Sequence, residues 1–128
     1  AILMPRWMQY ILNEEVAPVF YRFGVKCLEV EPGLDAMTGA QKAIDAVSDW
    51  LYHKLGLESH LAAFGVEEAK LPEMAVKALR GHGCPPWPDG LTVEDVEKIF
   101  RMCIDRRKSA MLRELFTKMM FREVYPQS

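Results

Sequence analysis

Between Ala40 and Leu55 the apolar residues Ala40, Ala43, Ile44, Val47, Leu51 and Leu55 recur at steps of three and four, and only a helix gathers that spacing onto one face. Gly56 follows at once and predicts a left-handed C-terminal cap. The same signature recurs along the chain. Met4, Trp7, Met8 and Ile11 form a first stripe, with Pro5 tolerated because it falls in the first turn. Ile2, Leu3, Tyr10 and Leu12 surround the same short cylinder with further apolar surface, so one side of it is expected to pack on something outside this chain. Asn13, followed by Glu14 and Glu15, predicts the N-cap of a second helix running through Phe20 and Phe23 toward Lys26, although Pro18 blurs its start.

Beyond a turn at Glu31-Pro32-Gly33 and the long third helix, Ser59 is placed to cap a short helical turn closed by Gly65. Leu71, Met74, Ala75, Ala78 and Leu79 mark a fourth helix that Gly81 stops, and Gly81 to Gly90 is a loop. Thr92-Val93-Glu94-Asp95 predicts a capping box with Asp in place of Glu, opening a fifth helix whose buried stripe is Val96, Ile99, Phe100 and Cys103. No useful run alternates apolar and polar residues, so no sheet is expected. The fold class is all-α, a multi-helix orthogonal or bundle-like arrangement.

The tail departs from this pattern. Leu112, Leu115, Phe116, Met119 and Met120 fit a helical stripe, but at about 100° per residue the step from Cys103 to Leu112 turns the apolar face by roughly 180°. Either the helix breaks at Asp105-Arg106-Arg107-Lys108 or it packs on two bodies. The sequence therefore divides into residues 1–103 and an additional helical extension, 104–128.

Composition narrows the function. A net charge of −2 gives no pull toward phosphates, which excludes a nucleic-acid partner. The three cysteines, Cys27, Cys84 and Cys103, contain no CxxC pair, so neither a disulfide framework nor a zinc knuckle is indicated and a reducing cytoplasm suits them. The apolar start is broken by Pro5, Arg6 and Gln9 and is too short to span a membrane or to act as a cleaved signal. It begins without methionine inside a hydrophobic run, which reads as the C-terminal piece of a longer chain.

There is no GxGxxG, P-loop, GxSxG or HExxH. His53 and His60 could share a metal only through a fold-back that nothing requires, and a surface or capping role is expected for both. His82-Gly83-Cys84 is the more suggestive run, since flanking glycines let backbone approach a ligand and Pro85, Pro86 and Pro88 stiffen the loop. The competing reading is a rigid connector that tucks Trp87 onto the core. Trp7 and Trp50 are expected as core aromatics, and Met119-Met120 as packing.

Four stretches in order carry a resemblance: Ala1-Ile-Leu-Met-Pro-Arg-Trp-Met8, the Phe23-Gly-Val25 region with Glu31-Pro32, Leu55-Gly-Leu-Glu-Ser-His-Leu61 with Phe64-Gly-Val66, and Leu91-Thr-Val-Glu-Asp-Val96. Together they resemble the C-terminal helical region of the iron-containing (group III) alcohol dehydrogenases, with the butanol-dehydrogenase-like branch the most similar. The resemblance covers about Ala1 to Cys103. It implies a parent enzyme that uses NAD(P) and one divalent metal, iron or zinc, to interconvert primary alcohols and aldehydes. The dinucleotide would sit on an N-terminal α/β domain of the same polypeptide, and a cytoplasmic homo-oligomer is expected. The family's metal ligands lie upstream of the Ile-Leu-Met-Pro segment. No ligand, nucleotide-binding or catalytic residue therefore carries over, and this chain alone is expected to bind neither cofactor and to be inactive. The resemblance places only the loop before the fifth helix near the cleft, which makes His82 and Cys84 candidate cleft-lining residues. Relatives end soon after the fifth helix, so the extension is assigned to a subunit contact. Two alternatives remain: a stand-alone helical interaction module without catalysis, and a small metal protein using His82 and Cys84 with Cys103 or Cys27.

Overall fold

Helix α1 spans Leu3–Ile11, α2 Ala17–Cys27 and α3 Ala36–Asp49, and α3 widens into a π-turn at Trp50–Lys54. Short 3-10 turns at Leu61–Phe64 and Glu68–Lys70 lead to α4, Leu71–Leu79, and α5 covers Val93–Met102. This computed structural model describes residues 1–79, 90–104 and Lys118, and no strand occurs among them. The all-α architecture is therefore present, with helix packed on helix as the element order requires. The described residues form two units, Ala1–Ser59 and the part from His60 onward, each with its own core. The loop from Gly81 to Asp89 and nearly all of the C-terminal extension lie outside the described residues, as does the expected stop of α4 at Gly81.

In the first unit, α2 and α1 both pack on α3. Ala40, Ala43, Ile44 and Val47 supply the buried stripe of α3, and Met8, Ile11, Val16, Ala17 and Phe20 are buried in the same unit. The approach of α2 to α3 is set by two glycines. A Cβ on Gly24 would stand 2.7 Å from the Ala43 Cβ, and one on Gly39 would stand 2.3 Å from the Tyr21 ring. Gln9 and Gln41 exchange two amide hydrogen bonds of 2.9 and 2.8 Å between α1 and α3, and Trp7 meets Phe20 edge to face with centroids 6.4 Å apart.

The structure corrects several expectations. Asn13 caps a turn rather than the second helix: its side chain accepts from the Glu15 and Val16 amides at 3.0 Å, and α2 begins only at Ala17. Pro18 explains the delay, because proline is accepted in a first turn but not further in. The buried face of α1 contains Pro5, Arg6, Met8 and Ile11, whereas Met4 is 47% exposed. Met8 and Ile11 of the expected stripe are thus buried, and Pro5 and Arg6 rather than Met4 complete the inward face. Leu55 and Trp50, expected inside, are 50% and 48% exposed. For Leu55 the π-turn is the reason: its amide donates to Trp50 O at 2.9 Å across five residues, and the extra residue in that turn rotates Leu55 off the stripe. Gly56 nevertheless takes the expected left-handed conformation at φ 67°.

In the second unit α4 lies against α5, and Leu71, Ala75, Phe100 and Ile104 form the core with Leu61, Val66, Met74, Val93 and Val96 around it. The capping box at Thr92 is present: Thr92 Oγ1 accepts from the Asp95 amide at 3.2 Å while Asp95 Oδ2 accepts from the Thr92 amide at 2.8 Å. The cap position of the Leu61–Phe64 turn is His60, not Ser59, and carries no side-chain cap. Its amides are answered differently: Leu61 and Ala62 donate to Cys103 O and Ile104 O at 2.8 and 3.0 Å. The start of this turn and the residues just after α5 thus satisfy each other's backbone groups. Gly65 closes the turn at φ 73° as expected.

The α2–α3 contact gives a direct test. Gly24→Ala gains about 1 kcal/mol of helix propensity, but the added methyl meets a Cβ anchored on another helix and the overpacking costs about 1–3 kcal/mol. We expect a net loss, measured as a lower urea midpoint at unchanged slope; a higher midpoint would show that the helices can part freely.

Candidate functional site

The groups able to perform chemistry are scattered among the described residues. His53 is exposed on the π-turn, and His60 is half-buried at the head of a 3-10 turn. Cys27 is exposed at the end of α2, whereas Cys103 is fully buried with its Sγ 3.1 Å from Ile99 O one turn earlier. A thiol so enclosed and bonded to its own helix is a packing group, which removes Cys103 as a ligand in the small-metal-protein reading. No group of three or more His, Cys, Asp or Glu side chains that could hold a metal ion occurs among the described residues. His82 and Cys84 lie outside them.

Of the surface depressions among the described residues, two bear on chemistry. The larger, about 540 Å³, belongs to the second unit and is bordered by Val66, Glu67, Lys70, Glu73, Met74 and Lys77. Lys77 pairs with Glu73 at 2.7 Å, and that hydrogen bond, helped by the charges of Lys77 and Lys70, holds the Glu73 carboxyl below its ordinary range. A carboxylate kept ionised in this way accepts hydrogen bonds but cannot serve as a general acid near neutrality. No histidine, hydroxyl or thiol stands at its border, and its ionisable groups are Glu67, Lys70, Glu73 and Lys77. The smaller, about 370 Å³, runs beside α2 past Pro18, Tyr21, Arg22, Val25, Lys26 and Leu34.

Behind that second depression stands a structural polar network. The Tyr21 hydroxyl donates to Glu31 O and accepts from the Leu34 amide, both at 2.9 Å, and so closes the α2–α3 connection. Lys42 on α3 pairs with Glu31, and its hydrogen bond and charge lower the Glu31 pKa. Asp35 then opens α3 by accepting from the Thr38 amide at 3.0 Å. That backbone hydrogen bond lowers the Asp35 pKa below its ordinary 3.8.

One polar cluster was not foreseen. Arg6 is only 9% exposed on the buried face of α1. Its Nη1 donates to Ile2 O at 3.1 Å and to the Tyr52 hydroxyl, and the guanidinium carbon lies 5.0 Å from the Tyr52 ring centroid. The available signal was an arginine inside an apolar run; its partner, 46 residues away, had no mark in the sequence.

Residues 1–104 match the profile described as Fe-containing alcohol dehydrogenase family, C-terminal. Among curated proteins, the chain is 36% identical over 80 residues to NADH-dependent butanol dehydrogenase B of Clostridium acetobutylicum, covering 62% of this chain and 20% of that protein. It is 32% identical over 102 residues to NADH-dependent butanol dehydrogenase A of the same organism, covering 79% of this chain and 26% of that one. The chain thus spans about a quarter or less of the length of these relatives. No solved structure matches.

The Asp35 cap sets an acid limit on α3. Its folded pKa is lowered, so the stability it contributes is present above the unfolded value and is lost as pH falls through the folded one, below about 3.8. Asp35→Asn keeps an N-cap acceptor without a titrating group. The variant should lose less helicity by circular dichroism between pH 4 and pH 2 than the parent, and identical acid profiles would deny the cap this role.

Proposed function

Since its first 104 residues carry the C-terminal pattern, the chain belongs to the Fe-containing alcohol dehydrogenase family, and from that premise we propose that it is the C-terminal helical part of an NAD(P)-linked enzyme interconverting primary alcohols and aldehydes. The family match is the observation that carries this reading, because it runs without a break through α1 to α5 and both units. The two relatives are named as NADH-dependent butanol dehydrogenases, which favours a short primary alcohol as substrate and NADH as the hydride carrier.

The family implies a divalent metal, and the described residues do not fit one: they offer no clustered donor set, and no step is routed through such an ion. The reading gives metal, dinucleotide and hydride transfer to polypeptide beyond the described residues, in particular to an N-terminal dinucleotide-binding domain of the same protein. These helices contribute placement, the part of cofactor catalysis that a protein framework supplies. Two helical units, each with its own apolar core among the described residues, suit that task.

The product of the complete gene should therefore be much larger than 14.7 kDa and should oxidise 1-butanol with NAD(P)⁺ when metal is supplied, while the 128-residue chain shows no turnover. A complete product of 14.7 kDa, or a larger one inert toward short alcohols, would overturn the proposal and return the chain to a binding role. On sequence grounds we also propose His82 and Cys84 as cleft-lining residues. Replacing both by alanine in the complete enzyme should lower kcat/KM for the alcohol by about tenfold, equivalent to roughly 1.4 kcal/mol; an unchanged value would make them connector residues.

A further inference from the structure

We infer that Tyr52 and Arg6 form a latch that fixes the course of the backbone entering α1, and so position the polypeptide that precedes it in the complete protein. That a polypeptide precedes it rests on the function proposed above. The argument begins with proline. Ile2 already has α-helical angles, φ −65° and ψ −42°, with no side-chain cap. Were the helix to extend back through it, the Ala1 carbonyl would take its hydrogen from the amide of residue 5. Pro5 has no such hydrogen. The Tyr52 hydroxyl, 2.9 Å from Ala1 O and 3.4 Å from Ile2 O, stands where the missing donor is needed.

Arg6 sets the polarity of this contact. A hydroxyl has one proton, and Arg6 Nη1 donates into the Tyr52 oxygen, which leaves that proton free to point at Ala1 O. A second donation from Nη1 reaches Ile2 O at 3.1 Å, so two successive carbonyls are gripped by one pair of side chains. The guanidinium also lies against the Tyr52 ring, 5.0 Å from its centroid, a cation–π contact that keeps the two groups together where the charge is buried. Tyr52 itself stands in the π-turn Trp50–Lys54, and such turns are a recurrent means of aiming a side chain away from the direction an α-helix would impose.

The test is amide hydrogen exchange by mass spectrometry on the complete protein. Tyr52→Phe keeps the ring and its contact with Arg6 and removes the hydroxyl. We expect exchange of the residues just before α1 and through Met4 to accelerate at least tenfold, while amides in α2 and α3 stay within twofold of the parent. Adding Pro5→Ala to Tyr52→Phe supplies the absent N–H and should restore most of the protection. Unchanged exchange at the start of α1, an equal acceleration across α2 and α3, or a failure of Pro5→Ala to rescue would each overturn the latch. None of these readouts needs turnover, so a complete protein without dehydrogenase activity would end the functional proposal and leave this one standing or falling on exchange alone.

Discussion

The first unit depends on how closely α2 can approach α3. Each helix presents one glycine to the other: Gly24 to Ala43 and Gly39 to the Tyr21 ring. Two interior glycines cost about 2 kcal/mol of helix propensity relative to alanine, and the close contact they permit buries Ala40, Ala43, Ile44 and Val47 almost completely. At about 25 cal/mol per Å² of apolar surface, that burial outweighs the local loss. The consequences spread outward. With Tyr21 lying over Gly39, its hydroxyl reaches the Glu31 and Leu34 backbone and the connection between the helices is held at its middle. Gly24 O accepts from both Leu28 and Val30, which folds Val30 back over the same glycine. The reversal requires Glu29 to adopt φ 58°, a conformation that non-glycine residues rarely take.

α1 is then placed by α3 rather than by its own hydrophobicity. Leu3 and Met4 stay exposed at 43% and 47% while Gln9, a polar residue, pairs with Gln41. The face of α1 that turns inward is the one whose polar atoms find partners in α3 and its π-turn, including a nearly buried arginine. A charge in such a position is retained only where hydrogen bonds and an aromatic face replace water. Arg6 has both.

These features divide cleanly by whether their cause is local. The capping box at Thr92, the left-handed Gly56 and Gly65, and the stripe of α3 as far as Leu51 could all be seen in the sequence, because each is decided within one turn of chain. Leu55 could not be placed, since the π-turn that rotates it has no composition of its own. Ser59 was a reasonable cap for the next turn on local grounds, yet the amides there are answered by carbonyls more than forty residues away. In α1 the stripe through Met8 and Ile11 was legible, but periodicity alone did not show that Pro5 and Arg6, not Met4, complete the buried face. His82 and Cys84, the candidates that a loop motif and a resemblance supplied, fall outside the described residues, whereas the Arg6–Tyr52 cluster arises from two residues that neither motif nor period connects.

The second unit shows how a helix can end without a stop signal of its own. α5 has no glycine or proline at its C-terminus; Cys103 is the cap residue, in a right-handed conformation at φ −94°. Its final carbonyls are answered locally: Phe100 O accepts from the Cys103 amide at 3.0 Å, Arg101 O from the Ile104 amide at 3.4 Å, and Ile99 O from the Cys103 thiol at 3.1 Å. Beyond the helix, the amides of Leu61 and Ala62 donate to the Cys103 and Ile104 carbonyls, and Ile104 joins Leu71, Ala75 and Phe100 in the core. The family match also finishes at residue 104. Among the described residues of this unit, the turn that opens it and the stretch just after α5 are tied by backbone hydrogen bonds between positions more than forty residues apart, so the two are ordered together rather than each by its own cap.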